Sequence, residues 1–185
     1  MAATPPAVRT VRAEEILGVA RELLEEAGFD GLRMRTLASK LGIKAPSLYA
    51  HFRDKREIEN ALIAQGLREQ VDAQQRTRDE HPELDEITAI WRGYRDWALE
   101  NPALHKLIAA RALDREDAEV VAAEAAGIDA VVRSTGGHPA AGVAFWAFAY
   151  GMVELELNQR VPPGRDLEAV WAFGLRALAA ELPQP

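Results

Sequence analysis

Residues 33–57 read RMRTLASKLGIKAPSLYAHFRDKRE. The stretch has the pattern of two short helices joined by a glycine turn and followed at once by a third. Leu37, Ala38 and Leu41 share one face, Gly42 breaks the first helix, and Leu48, Tyr49 and Phe52 belong to the second. Pro46 suits the first turn of that second helix, where its missing N–H costs nothing. Asp54 and Glu57, three apart, have the spacing of a capping box that opens a long further helix. Seven Lys or Arg stand against two acids here, in a chain of net charge −7. A basic helix-turn-helix in an acidic chain points to a nucleic-acid-binding head carried by a separate body.

Outward from this stretch the whole chain reads as helices, about nine in all, with no alternating strand pattern and no internal repeat. Ile16, Leu17, Ala20, Leu23, Leu24 and Ala27 mark the first helix, stopped at Gly28, with Gly28–Phe29–Asp30–Gly31 as a loop. Ile58, Leu62 and Val71 mark the buried side of the fourth. The polar run 72–81 reads as a solvated helix end or a linker. Ile87, Ile90, Trp91, Tyr94, Trp97 and Ala98 form an amphipathic helix, broken at Asn101-Pro102. Leu104, Leu107 and Ile108 begin another. Val120 to Val132 mark a seventh, ended by Gly136-Gly137. The segment from Ala140 to Gln159 is apolar nearly all round at its start, and a last helix, capped by Asp166, carries Leu167, Val170, Trp171, Leu175 and Leu178. The expected fold is all-α: an N-terminal three-helix helix-turn-helix domain over residues 1–57, and a helical ligand-binding and dimerisation domain over 58–185.

Composition narrows the classes. A hydrophobic content of 48% suffices for a packed core. The chain has no cysteine, hence no disulfide, thiolate metal site or cysteine nucleophile, which fits a reducing cytoplasm. The N-terminal residues lack the apolar core of a secretory signal. The longest apolar run, Ala140 to Val153, is shorter than the ~20 residues a membrane helix needs, so no membrane association is expected. None of the glycine-rich phosphate loops, nucleophile elbows or paired-histidine zinc motifs is present, and His51, His81, His105 and His138 are scattered. No enzyme, cofactor or metal is expected. A second rival is an adaptor whose head no longer binds DNA; Lys44, Tyr49, His51 and Lys55 argue against it.

The first helix ending Ala27-Gly28-Phe29-Asp30-Gly31, then Leu37-Ala38, Leu41-Gly42-Ile43 and Ser47-Leu48-Tyr49-Ala50-His51-Phe52-Arg53-Asp54-Lys55, resembles the N-terminal domain of the TetR family of bacterial transcription repressors. The match covers about residues 10 to 65 and is specific as a combination. Residues 40–56, KLGIKAPSLYAHFRDKR, resemble the tetracycline-repressor type in particular. The resemblance implies that Lys44, Ala45, Pro46 and Ser47 open the recognition helix and face base edges. It implies that Tyr49 and His51 hold the phosphate backbone, as does Lys55 at a helix N-terminus, and that Arg35 reaches a phosphate or a base. Met34 departs from the family pattern, which commonly has Ser or Thr there as a cap; Ala45 is small where a longer side chain often reads a base. Tyr49 carries two readings, ring packed on the first helix or hydroxyl on a phosphate, and His51 also suits an ordinary surface histidine.

A palindromic double-stranded operator calls for a two-fold protein. The segment from Ala140 and the last helix are the expected homodimer elements, since a helix apolar nearly all round is buried on both sides; the resemblance likewise implies a four-helix bundle between partners. Tyr94-x-x-Trp97-Ala98, Asn101 to His105, and Trp146 with Tyr150-Gly151 resemble a TetR C-terminal subgroup. That subgroup often has Tyr in place of His105 and a His before the glycine where this chain has Tyr150. Trp91, Tyr94, Arg95, His105, Trp146 and Tyr150 mix apolar bodies with polar tips, as small-molecule pockets do, although an aromatic stripe at helical spacing also suits plain core. The expected function is a repressor released from its operator by a small-molecule effector.

Overall fold

A computed structural model describes residues 9–180 and 182. Among them are nine helices and no strand: α1 Val11–Gly31, α2 Met34–Lys40, α3 Ala45–Leu48, α4 Lys55–Glu80, α5 Glu86–Glu100, α6 Pro102–Ala110, α7 Ala118–Ser134, α8 Pro139–Leu157 and α9 Leu167–Ala179. The all-α class and the helix count expected from periodicity are both met. The chain packs as two compact units. The described residues up to Arg68, together with Asn101–Glu124, form the first; Glu69–Glu100 and the described residues from Ala125 onward form the second. Both α4 and α7 contribute residues to each unit.

In the first unit, Ile16, Leu17, Ala20, Leu23 and Leu24 of α1 are buried with Leu37 and Ala38 of α2 and with Leu48 and Phe52. Leu41 and Ile43, expected in this core, are half-buried. Gly28 leaves the helix at φ 67°, as a stop glycine should, but the chain regains a helical turn through Gly31 rather than forming an open loop. The side chain of Phe29 lies outside the described residues. The turn between α2 and α3 is closed by two backbone bonds, Gly42 N–H to the Ser39 carbonyl at 3.1 Å and Ile43 N–H to the Ala38 carbonyl at 3.0 Å. These are the bonds of a Schellman stop, which needs φ positive at the glycine; Gly42 has φ 66°.

The helix α3 is only four residues long, with Pro46 in its first turn, and ends before Tyr49 and Phe52, which periodicity assigned to it. The Phe52 N–H still reaches the Leu48 carbonyl at 3.0 Å, so the turn continues. At the head of α4, the Asp54 carboxylate accepts from Glu57 N–H at 2.9 Å. Glu57 reaches back one residue further than a capping box requires, to Arg53 N–H at 2.6 Å. The polar run 72–80 is helix end, not linker, because α4 continues to Glu80.

The later part of this unit, α6 and the start of α7, is tied to α1 and α4 by polar contacts. Asn101 gives α6 no side-chain cap of its own. Glu25 of α1 supplies one, accepting from Ala103 and Leu104 N–H at 3.3 Å each, while Arg21 donates to Asn101 at 2.7 Å. Helices α4 and α6 approach closely at Gly66, where a Cβ would lie 2.7 Å from Leu104.

In the second unit, α5 buries Ala89, Ile90, Trp91, Gly93, Tyr94, Trp97 and Ala98. Gly93 lets it approach α4: a Cβ there would lie 2.8 Å from the Ala73 carbonyl oxygen. Trp91 stacks on Phe145 of α8 with centroids 6.3 Å apart and meets Tyr94 edge-on at 5.9 Å. Phe148 of α8 meets Trp171 of α9 edge-on at 5.5 Å, and Gly174 admits the Phe148 ring where any side chain would collide. By length and composition α8 is the one described helix able to cross a membrane. Its Gly142, Phe145, Ala149, Met152 and Val153 are buried in this unit.

Gly42→Ala meets no atom within 4 Å, so its cost is conformational, about 1 kcal/mol for a Cβ in the left-handed region. Gly42→Asn costs less. Urea midpoints of the two variants against the parent measure this; equal midpoints would show that the turn is not held as described.

Candidate nucleic-acid interface and helical body

The cations of residues 33–57 differ in how far they are engaged. Lys40 is held by Glu26 at 2.7 Å and Glu22 at 3.4 Å; the Glu26 bond, with Glu22 adding to it, raises its pKa against the opposing desolvation. Arg53 pairs with Glu57 at 3.3 Å, Arg33 donates to the Asp30 carbonyl, and Arg56 donates to the Ala112 carbonyl at 2.9 Å. Lys55 is half-buried with its ammonium 3.2 Å from Glu59, a buried carboxylate that also holds Arg111 at 3.0 Å. Arg35 and Lys44 are exposed and, among the described residues, have no ion pair and no side-chain hydrogen bond.

Both of these cations stand at helix starts. Lys44 is the N-cap residue of α3, and Arg35 lies in the first turn of α2. Neither start has a side-chain cap, so their N–H groups add partial positive charge to the same surface. The N-cap of α2 is Arg33, and Met34 follows as its first residue; the Ser or Thr cap that the family commonly has is missing in fact as well as in sequence. Pro46, Ser47, Tyr49 and His51 are exposed and Ala45 half-buried. Tyr49 is 53% exposed, so most of its ring is outside the core. The eight residues expected to meet DNA lie on consecutive segments of one unit, from α2 to the start of α4.

The six residues expected to bind ligand do not gather in the same way. Trp91 and Tyr94 are core residues of the second unit. Burial pushes the Tyr94 phenol well above its ordinary pKa, with Tyr150 and Glu154 adding to the effect. Tyr150 is half-buried beside Trp146, ring centroids 6.0 Å apart, and Trp146 itself is 54% exposed. His105 is buried on α6 in the first unit. Arg95 belongs to a separate network. Its Nε and Nη2 donate to Glu156 at 3.0 and 2.8 Å, and Trp171 Nε1 donates to the same carboxylate at 2.6 Å. The guanidinium lies over the Trp171 ring, 5.5 Å from its centroid. Neither Glu156 nor Trp171 stood out as functional in the sequence, because the Arg95–Glu156 pair spans 61 positions and leaves no local pattern.

One polar atom of the aromatic cluster is left over. Trp91 Nε1 is buried and has no acceptor among the described residues. Such a donor costs about 1–3 kcal/mol when unanswered.

Two family models match the chain, in separate segments. Residues 16–62 match the family described as bacterial regulatory proteins, tetR family, and residues 87–178 match the tetracyclin repressor-like C-terminal domain. The tetracycline repressor protein class D of Escherichia coli is 48% identical over 54 residues, 29% of this chain and 25% of that protein. The chain thus spans about a quarter of the length of the tetracycline repressors it matches. An uncharacterized HTH-type transcriptional regulator of Mycobacterium tuberculosis is 29% identical over 174 residues, covering 90% of this chain and 79% of that one. Among solved structures, a protein of unknown function from Rhodococcus sp. RHA1 shares the fold with a TM-score of 0.82 at 22% identity, over 98% of this chain and 100% of that chain. A possible TetR family transcriptional regulator from Streptomyces coelicolor A3(2) shares it at 0.64 and 20% identity, over 91% and 97%. Matched in head and body by models of one family, the chain belongs to the TetR family of helix-turn-helix transcriptional regulators.

Proposed function

We propose that the protein is a repressor that binds a palindromic operator as a homodimer and is released by a small-molecule effector held in its helical body. The observation that carries the DNA reading is the selective freedom of Arg35 and Lys44. In a chain of net charge −7, these two exposed cations at uncapped helix starts remain unneutralised. Phosphate and base edges are the partners such groups suit. In this reading residues 1–57 bind DNA and 58–185 carry dimerisation and effector binding. Lys44, Ala45, Pro46 and Ser47 face the major groove, Arg35 a phosphate or base, and Tyr49, His51 and Lys55 the backbone. A cytoplasmic location follows from the role.

The dimer reading rests on an exposed apolar stripe. Val143 and Trp146 on α8, and Val170 and Phe173 on α9, are all exposed, Phe173 at 69%. Each pair has the i, i+3 spacing that places it on one face of its helix, and exposed apolar faces mark association surfaces. The effector reading rests on the unanswered Trp91 Nε1 among Tyr94, Phe145 and their neighbours, which an acceptor on a ligand would satisfy. Release then requires that the ligand bind the DNA-free arrangement more tightly than the DNA-bound one. The long helix α4, with residues in both compact units, is the lever.

Selection of bound fragments from random DNA, followed by gel-shift titration against salt, tests the core of this reading. A two-fold symmetric consensus with a steep inverse salt dependence is expected; binding without sequence preference would refute it. Lys44→Ala, with unchanged circular dichroism, should weaken operator affinity by about 1–3 kcal/mol. Trp146→Glu combined with Phe173→Glu should give a monomer in analytical ultracentrifugation and lose cooperative binding to the full palindrome; a dimer unchanged by both would exclude the α8–α9 stripe as the interface.

A further inference from the structure

The second unit carries a cleft of about 460 Å³ between the start of α5 and α9, within the range of small-molecule sites. Of the six residues expected from the sequence to bind ligand, only Arg95 lines it. Its apolar wall is Leu84, Ile87 and Leu175, with Trp171 at the base of the Arg95 network. Three cations line it: Arg92, Arg95 and Arg176. Arg176 has no ion pair among the described residues, and the nearest carboxylate to Arg92 is Asp96 at 3.9 Å. Of the two acids on the lining, Asp85 is committed to capping α5, accepting from Thr88 N–H at 3.0 Å and Thr88 Oγ1–H at 2.6 Å.

The other acid, Glu168, differs from Glu156, the carboxylate that fixes Arg95 from within. The Glu156 side chain is only 7% exposed and is held by three donors. Glu168 meets Arg95 Nη1 at 2.5 Å while its side chain stays 78% exposed. So exposed an ion pair gains little, because water competes for both members. A second carboxylate arriving from solvent can take the same guanidinium edge, and there it would gain from Arg92 and Arg176 as well.

We propose that this cleft binds an amphipathic monocarboxylate, an aliphatic chain ending in one carboxylate. The head group displaces Glu168 from Arg95, and the chain lies along Leu84, Ile87 and Leu175. The site is separate from the Trp91 cluster, and its occupation is measured without DNA, so the regulator reading and this one fail independently.

Sodium decanoate titrated into the intact protein by isothermal calorimetry tests the proposal. One saturable site per chain is expected, with octanoate about tenfold weaker for its two missing methylenes and methyl decanoate without measurable binding. Glu168→Gln, which removes the competing carboxylate at an exposed position, should tighten decanoate severalfold, and Arg176→Ala should weaken it severalfold. The opposite signs keep the test clear of general destabilisation, and thermal unfolding of both variants confirms that they fold. No binding, equal binding of the ester, or a Glu168→Gln variant that binds no more tightly than the parent would overturn it.

Discussion

The first turns of α4 are buried almost all round, and the head depends on them. Ile58, Ala61, Leu62, Ile63 and Ala64 are core, and so are the polar residues Glu59 and Asn60. Short helices such as α2 and α3, seven and four residues long, cannot bury an apolar face by themselves. They need a rigid neighbour, and a helix buried on every side is rigid only if its polar side chains are answered. Lys55 and Arg111 answer Glu59. The Asn60 amide donates to Asp114 at 2.9 Å and Asp117 at 3.2 Å, while its buried Oδ1 has no donor among the described residues. Removing one partner of such a buried charge costs far more than the pair contributes as a pair, because the other is left stranded. The segment 111–117, remote in sequence from the helix-turn-helix, is therefore part of what fixes the presentation of α3.

This arrangement also sorts the basic residues. A cation near the body of the unit is drawn into a bond with an acid or a carbonyl: Lys40 to α1, Arg56 to Ala112, Lys55 to Glu59. Arg35 and Lys44, with no side-chain partner among the described residues, keep their full field. Net charge over the stretch overstates the positive surface, and the pairing pattern gives the truer measure. Lys55 illustrates the difference. Its place at a helix N-terminus suits a phosphate, yet its ammonium is shared with Glu59, so a phosphate there would compete with a buried carboxylate.

What could be read in the sequence was local. Helical periodicity gave nine helices, the glycine at 42 gave the turn, and Asp54 with Glu57 gave the start of α4, because each signal lies within one turn of the feature it specifies. The helix-turn-helix residues were legible for the same reason: they are consecutive. The body was not. The cap of α6 comes from Glu25, 78 positions away, and Arg95 finds Glu156 across 61; no spacing announces such pairs. His105 and Trp91 look alike as ambivalent buried residues, but packing sends them to different units. The length of α3 was also misread, since Tyr49 and Phe52 keep helical spacing while the backbone is already turning.

Helix α9 carries two of the functional proposals for the body, the association stripe and the cleft. Trp171, Leu175 and Arg176 face the cleft shared with α5, while Val170 and Phe173 carry the exposed apolar stripe. Gly174 sits against the Phe148 ring with no room for a Cβ, so α9 cannot roll on α8 without losing that contact. Close-packed interfaces of this kind pass small displacements on instead of absorbing them. Glu168 holds the first turn of α9 to Arg95 on α5, and Arg95 is tied through Glu156 to α8. A carboxylate that replaced Glu168 would release α9 from α5 at that end and leave the Glu156 bonds intact. In that exchange the proposed ligand would trade the Glu168 pair for its own, on the helix that also presents Phe173.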